Sequence, residues 1–253
     1  MASVTAAGTT WNTNANNKTV TATPAAADLI VVVATSSGLA GGTTAVTDDN
    51  SDGLGTYVQV DQDRTGFSTT GVLTVWIRNA LIRSATSTVF TAAQSGSSGG
   101  GLCVLRVSGM SIVGQSAVVR TGVSSFNTGG QSSGGAGTTP APVLAQTPLS
   151  ANTIIAAVCN STNSSTTVAQ RAGYTEDTDL GYNTPATGIE VSHLNSGESS
   201  ATITFGGTTA SAFASVAIEL DTSVPQFDWV VTGRADRDRE IWLQSAVGQA
   251  SVW

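Results

Sequence analysis

The chain has 253 residues and a net charge of -7, with 40% hydrophobic and only 11% charged residues, where an average globular chain carries roughly 25% charged. Thr, Ser, Ala, Val and Gly fill the deficit; these suit strands and turns rather than long helices, so the expected class is all-β, as one large sandwich or two small ones. A basic cluster able to neutralise phosphates is missing, and no apolar run nears the ~20 residues that cross a bilayer, which argues against nucleic-acid and membrane partners.

Residues 1–22 are polar and rich in Thr and Asn, and Lys18 to Thr23 alternates as an edge strand should. Met1-Ala2-Ser3-Val4-Thr5 has neither a basic region nor an apolar core. The expectation is therefore no secretion signal and folding in the cytoplasm. Thr23-Pro24 then leads into an unbroken apolar run, Leu29 to Thr35, the pattern of a strand buried on both faces. Further strands are predicted at Tyr57–Val60, Val72–Ala80, Ser87–Thr91, Leu102–Val107 and Val113–Val119.

The organising stretch occurs again. Thr147-Pro148 precedes a second apolar run, Thr153 to Cys159. Gly55-Thr56-Tyr57 matches Gly173-Tyr174-Thr175, and Val75-Trp76-Ile77-Arg78 matches Ile189-Glu190-Val191-Ser192. Ser87–Thr91 matches Ala201–Phe205, and Leu102–Val107 matches Ala214–Leu220. The expected plan is an antiparallel, jelly-roll-like β-sandwich built by internal duplication, one sandwich being favoured over two docked ones. Its parts are an N-terminal segment (1–22), a first repeat (23–120), a Gly/Ser/Thr/Pro-rich linker (121–146), a second repeat (147–222) and a C-terminal arm (223–253).

The arm concentrates charge and aromatics: Trp229, Arg234, Arg237, Arg239, Trp242 and Trp253. Arg and Trp are enriched at interface hot spots, which makes these six candidate contacts with another subunit or a shell. The competing reading is a terminal strand pair or short helix that closes the same domain.

Residues for chemistry are sparse. Asp48, Asn50 and Asp52 open like a calcium loop, but Gln59 stands where a bidentate Glu belongs and no helices flank it. An acidic turn held by Asx bonds and a positive-φ glycine is the alternative. His193 is the only histidine, which excludes sites that need two. The candidate carboxylate pairs for a glycosidase are Glu176 with Asp177 and Asp179, and Glu190 with Glu198. Trp11, Tyr57, Trp76, Tyr174 and Tyr182 are the candidate sugar platform. Cys103 and Cys159 read as buried free thiols, with a disulfide as the minority reading. The expectation is no enzyme, no cofactor and no catalytic residues.

Asp28-Leu29-Ile30-Val31-Val32, the acidic turn before Gly55-Thr56-Tyr57, the Trp76 strand, a Ser/Thr strand and the closing Ala212–Leu220 together resemble β-sandwich proteins of tailed-phage virions. Similar repeats occur in bacterial surface proteins. The resemblance spans residues 23–222 and leaves the arm outside. It implies a capsid decoration (cement) protein, assembled in the host cytoplasm, that binds the major capsid protein or other virion proteins. A symmetric homo-oligomer, a trimer in the simplest case, is the expected form. The other reading is a lectin-like head or tail appendage that binds host glycans.

Overall fold

A computed structural model describes residues 2–11, 17–36, 43–63, 72–94, 100–118, 128–133, 137–160, 168–183, 186–209 and 212–222. In chain order the strands begin with β1 (Ser3–Trp11), β2 (Asn17–Ala22), β3 (Leu29–Ser36), β4 (Thr43–Asp48), β5 (Tyr57–Asp63), β6 (Val72–Arg78), β7 (Thr88–Gln94) and β8 (Gly100–Ser108). They continue with β9 (Thr128–Ser133), β10 (Thr153–Asn160), β11 (Val168–Ala169), β12 (Thr175–Asn183), β13 (Ala186–Leu194), β14 (Gly206–Gly207) and β15 (Phe213–Leu220). The described residues contain no α-helix, and every strand pairing is antiparallel.

One five-stranded sheet runs β1-β8-β3-β6-β5, and a second runs β12-β13-β10-β15-β9. Their apolar faces meet. Leu29, Val31, Val33, Leu73, Val75, Ile77, Leu105 and Val107 of the first share a buried cluster with Ile155, Ala157, Ile189, Val191, Val216 and Ile218 of the second. Strand β1 lies near β12, and β5 lies near β9.

The opposite face of each sheet is also covered. Ile30, Val32, Trp76 and Val104 pack against Val20, Val46 and Phe90 of the three-stranded sheet β2-β7-β4. Ile154, Ala156, Val158 and Phe213 pack under Leu144, Val168, Ile203 and Phe205. That cover is held by the short β11-β14 pair and by bonds between 140–144 and 201–205. Strands β3 and β10 are thus central in their sheets and covered above and below, and all their residues are buried. This is the physical reason their sequences are unbroken apolar runs rather than alternating ones.

Three expectations need correction. Val113–Val119 does not add a strand: Gly114–Val118 is a 3-10 turn whose Ala117 and Val118 cap the central cluster. Residues 121–146 are not simply a connector, because β9 pairs with β15 and the backbone of Pro140, Pro142 and Leu144 bonds to residues 201–205. The third concerns alignment. Val31 pairs with Ile77, and Ile155 pairs with His193. With Val31 set on Ile155, Trp76 therefore falls on Ser192 and Thr74 on Glu190, not Trp76 on Glu190 as side-chain pattern suggested. The C-terminal arm, with Trp229, Arg234, Arg237, Arg239, Trp242 and Trp253, lies outside the described residues.

Candidate functional site

The turn after β4 brings Asp48 and Asp52 together around a guanidinium, with Asn50 between them in the chain. Arg78, at the end of β6, is fully buried. Its Nε donates to Asp48 Oδ2 at 2.8 Å and its Nη2 donates to Asp52 Oδ1 at 2.6 Å. Its Nη1 donates to the carbonyls of Ala80 and Leu81. The Tyr57 hydroxyl donates to Asp48 Oδ2 at 2.8 Å. Backbone amides fill in as Asx turns: Asn50 onto Asp48, Asp52 onto Asn50, and Leu54 onto Asp52. The Asn50 amide reaches away to Ser84 O and Thr88 Oγ1. Arg78 therefore supplies the positive charge that a cation would bring to a calcium loop, and the carboxylates already have donors.

Electrostatics follows that geometry. Burial works to raise the Asp52 carboxyl, but Arg78 and the amides of Leu54 and Arg83 outweigh it and hold it below its usual value. Burial works to lower Arg78, and its bonds to Asp52 and Asp48 outweigh that too. Burial, then the Asp48 charge, pushes the Tyr57 hydroxyl well up. Gly55 is required at the centre of this turn, because a Cβ there would collide with the Asp48 backbone oxygen and carboxylate.

A looser arrangement of the same groups stands in the C-terminal half. The Tyr174 hydroxyl donates to Glu198 Oε2 at 3.0 Å, and Arg171 pairs with the same carboxylate at 3.2 Å. The amides of Ser199 and Ser200 complete the carboxylate's partners. Here the arginine side chain is 26% exposed, against 0% for Arg78.

His193 lies on the face of β13 that carries Ile189 and Val191 into the central cluster. Its Nδ1 meets Asp177 Oδ2 at 2.8 Å, and both side chains are nearly buried. Asp177 is the extra residue of a bulge in β12, between Glu176 and Thr178. The lone histidine is thus a paired interior residue.

Glu190 is different. It is fully buried and neither carboxylate oxygen has a hydrogen-bond partner. Burial pushes its carboxyl up to about 9, with Glu176, Asp179 and Asp177 adding repulsion. Ser192, two residues on, also buries a hydroxyl with no partner. Glu176 and Asp179 are exposed on the edge strand β12. Glu198 is not part of this group; it belongs to the Tyr174 arrangement. The expected Glu190–Glu198 pair is therefore not brought together as a common site by these bonds.

Cys103 and Cys159 are free and buried in the central cluster. Burial pushes both thiols up to about 12, with Asp177 adding to Cys103 and a bond to Thr35 opposing it at Cys159. Among the candidate platform aromatics, Trp76 is buried with its Nε1 on Thr74, and the hydroxyls of Tyr57 and Tyr174 are engaged as described. Trp11 and Tyr182 have side chains outside the described residues. Among the described residues, no three His, Cys, Asp or Glu side chains form a metal-ligand group, and no helix is long and apolar enough to cross a membrane.

Sequence reasoning missed Arg78 as the hub, since it read only as a strand residue. The signal was an arginine closing a strand that is apolar but for Thr74, Val72 to Ile77. No protein-family model matches the chain, and no curated protein matches it in sequence.

Proposed function

We propose that the chain is a duplicated β-sandwich protein that serves as a non-catalytic structural component of a tailed-phage virion, a decoration protein on the capsid shell. The duplication reading is supported by register. Order β1-β8-β3-β6-β5 corresponds to β9-β15-β10-β13-β12. The bulges in β5 and β12 occupy the same place, between the partners of Trp76 and Val75 in one and of Ser192 and Val191 in the other.

One observation carries the structural role. Four described carboxylates are consumed inside the scaffold, Asp48 and Asp52 by Arg78, Glu198 by Arg171 and Tyr174, and Asp177 by His193, and the buried Glu190 has no bonded partner to act with. The resemblance over residues 23–222 supplies the setting, the major capsid protein as partner, and a symmetric oligomer as the form. The glycan-appendage reading has less to rest on, because Tyr57, Trp76 and Tyr174 are used in packing.

The test is co-sedimentation of the full chain with purified shells that lack it. Saturable binding that protects the shells against heat supports the reading. Absence of binding under conditions where the chain stays folded removes it. Substituting Arg234, Arg237 and Arg239 by Ala in the full chain then reports whether the arm is the anchor, since hot-spot residues typically cost 2 kcal/mol or more, roughly 30-fold in affinity.

A further inference from the structure

We propose that the outer face of β12 and β13 is a divalent-cation site of the oxygen-liganded, calcium-accepting class, with Glu190 and Ser192 as its floor and Glu176 and Asp179 as its rim. Register places the four together: Asp179 stands opposite Glu190, and Glu176 stands opposite Ser192. Side chains directly opposite across antiparallel strands have Cβ atoms about 4.5–5.5 Å apart. A calcium ion with oxygen ligands at roughly 2.3–2.6 Å bridges such a gap.

The floor lacks partners. Both Glu190 oxygens and the Ser192 hydroxyl are buried without a hydrogen bond, and a buried polar group without a partner costs folding free energy. The rim is exposed, on the edge strand, so an ion reaches the floor from that side. Two carboxylates directly opposite each other repel unless something positive lies between them. A proton on Glu190 is one such answer; burial and the carboxylates of Glu176, Asp179 and Asp177 favour it. A divalent ion answers the same need and also supplies the floor with its missing partner. Among the described residues no three acidic side chains yet converge, so binding draws the exposed Glu176 and Asp179 inward.

The corresponding positions of the other half provide the control. By register, Glu190, Ser192, Asp179 and Glu176 fall on Thr74, Trp76, Gln62 and Gln59. Those four are neutral and bonded in two pairs: Trp76 Nε1 donates to Thr74 Oγ1 at 3.0 Å, and Gln59 Nε2 donates to Gln62 Oε1 at 3.3 Å. Corresponding register positions thus carry a neutral, bonded set on one sheet and, on the other, an acidic set whose buried members Glu190 and Ser192 lack partners.

The experiment is thermal unfolding of the full chain at pH 7 in chelator-treated buffer, titrated with calcium chloride, alongside Glu190→Gln and Asp179→Asn. The expected result is a saturable rise of roughly 5 °C in the wild type near 100-fold excess over Kd. That rise is absent in Glu190→Gln and weakened in Asp179→Asn. Terbium, bound in place of calcium, gives sensitised emission that calcium displaces. If the wild-type midpoint does not move up to about 10 mM calcium, beyond the weakest dedicated calcium modules, the proposal is overturned. A rise that survives intact in Glu190→Gln overturns it as well, since the ion is then elsewhere. If Glu190→Gln does not fold, Asp179→Asn, on the exposed rim, carries the same decision.

Discussion

The two five-stranded sheets of this molecule have strand orders that can be laid one on the other, and they differ in how each treats its buried polar groups. In the N-terminal half, Asp28 closes the turn before β3 and pairs with Arg106. In the C-terminal half the corresponding turn before β10 is closed with opposite polarity, Glu219 accepting from the Asn152 amide and from Leu149 N, both at 2.7 Å. Val60 and Ile77, apolar in the central cluster, correspond in register to Asp177 and His193, an ion pair. Tyr57 and Tyr174 both hand a hydroxyl to a carboxylate shared with an arginine, but one arginine is sealed and the other part-exposed. The lesson is that apolar periodicity sets the sheets, while polar positions within them diverge freely as long as each is satisfied locally. Glu190 and Ser192 are the described positions where that local satisfaction fails most plainly.

The sharpest way to break the comparison is to remove each arginine. Arg78→Ala strands two buried carboxylates, and losing one partner of a buried pair costs about 3–5 kcal/mol. Arg171→Ala acts on a part-exposed pair, where screening reduces the expected loss to about 1 kcal/mol. Urea denaturation of both variants measures the difference; equal losses would show that burial does not separate the two arrangements.

Glu190→Gln tests the second contrast, in metal-free buffer. A carboxyl whose folded value is raised to about 9 from 4.5 penalises the folded state wherever the unfolded chain is ionised. The penalty is absent below about pH 4.5, grows as pH rises toward 9, and is then constant. The Gln variant therefore unfolds at higher denaturant than the wild type at pH 7, by about 3 kcal/mol. The gap closes near pH 4. A pH-independent gap would show that the side chain's charge is not what the fold resists.

The smallest expected effect is at the turns. Ala27 has a φ of 68°, a region that costs a non-glycine residue about 1 kcal/mol. Ala27→Gly is expected to raise stability by about 0.5 kcal/mol, after the greater freedom of glycine in the unfolded chain is set against the relief. Ala151, in the corresponding turn, is not among the described residues at positive φ, so Ala151→Gly is expected to lower stability by about 0.5–1 kcal/mol. Paired melting curves check the opposite signs.

Much of the framework was legible in the chain. The two apolar runs at Leu29 and Thr153 mark the central strands, and the stretches predicted at Val72–Ala80 and Leu102–Val107 mark the strands that flank the first of them. The Asx bonds and the glycine at positive φ in the 48–55 turn follow from residue type alone. The alignment of β6 with β13 was read two residues out of register, because Val, Ile and Trp alternate similarly in either frame and only hydrogen-bonded partners separate them. Strand β9 was hidden because Thr-Gly-Gly-Gln-Ser-Ser has the composition of a linker; its pairing with β15 is supplied by a distant partner.

The sequence by itself determined the all-β class, the places of the central strands and the burial of both thiols, since these follow from local composition and period. Only the tertiary structure decided that Arg78 occupies the acidic turn, that the two five-stranded sheets share one cluster, and that Glu190 is buried beside Asp179. Each of those depends on which strands become neighbours. Strand pairing joins residues far apart in the chain, and a side chain's charge state and partners are set by those neighbours rather than by the residues next to it in sequence.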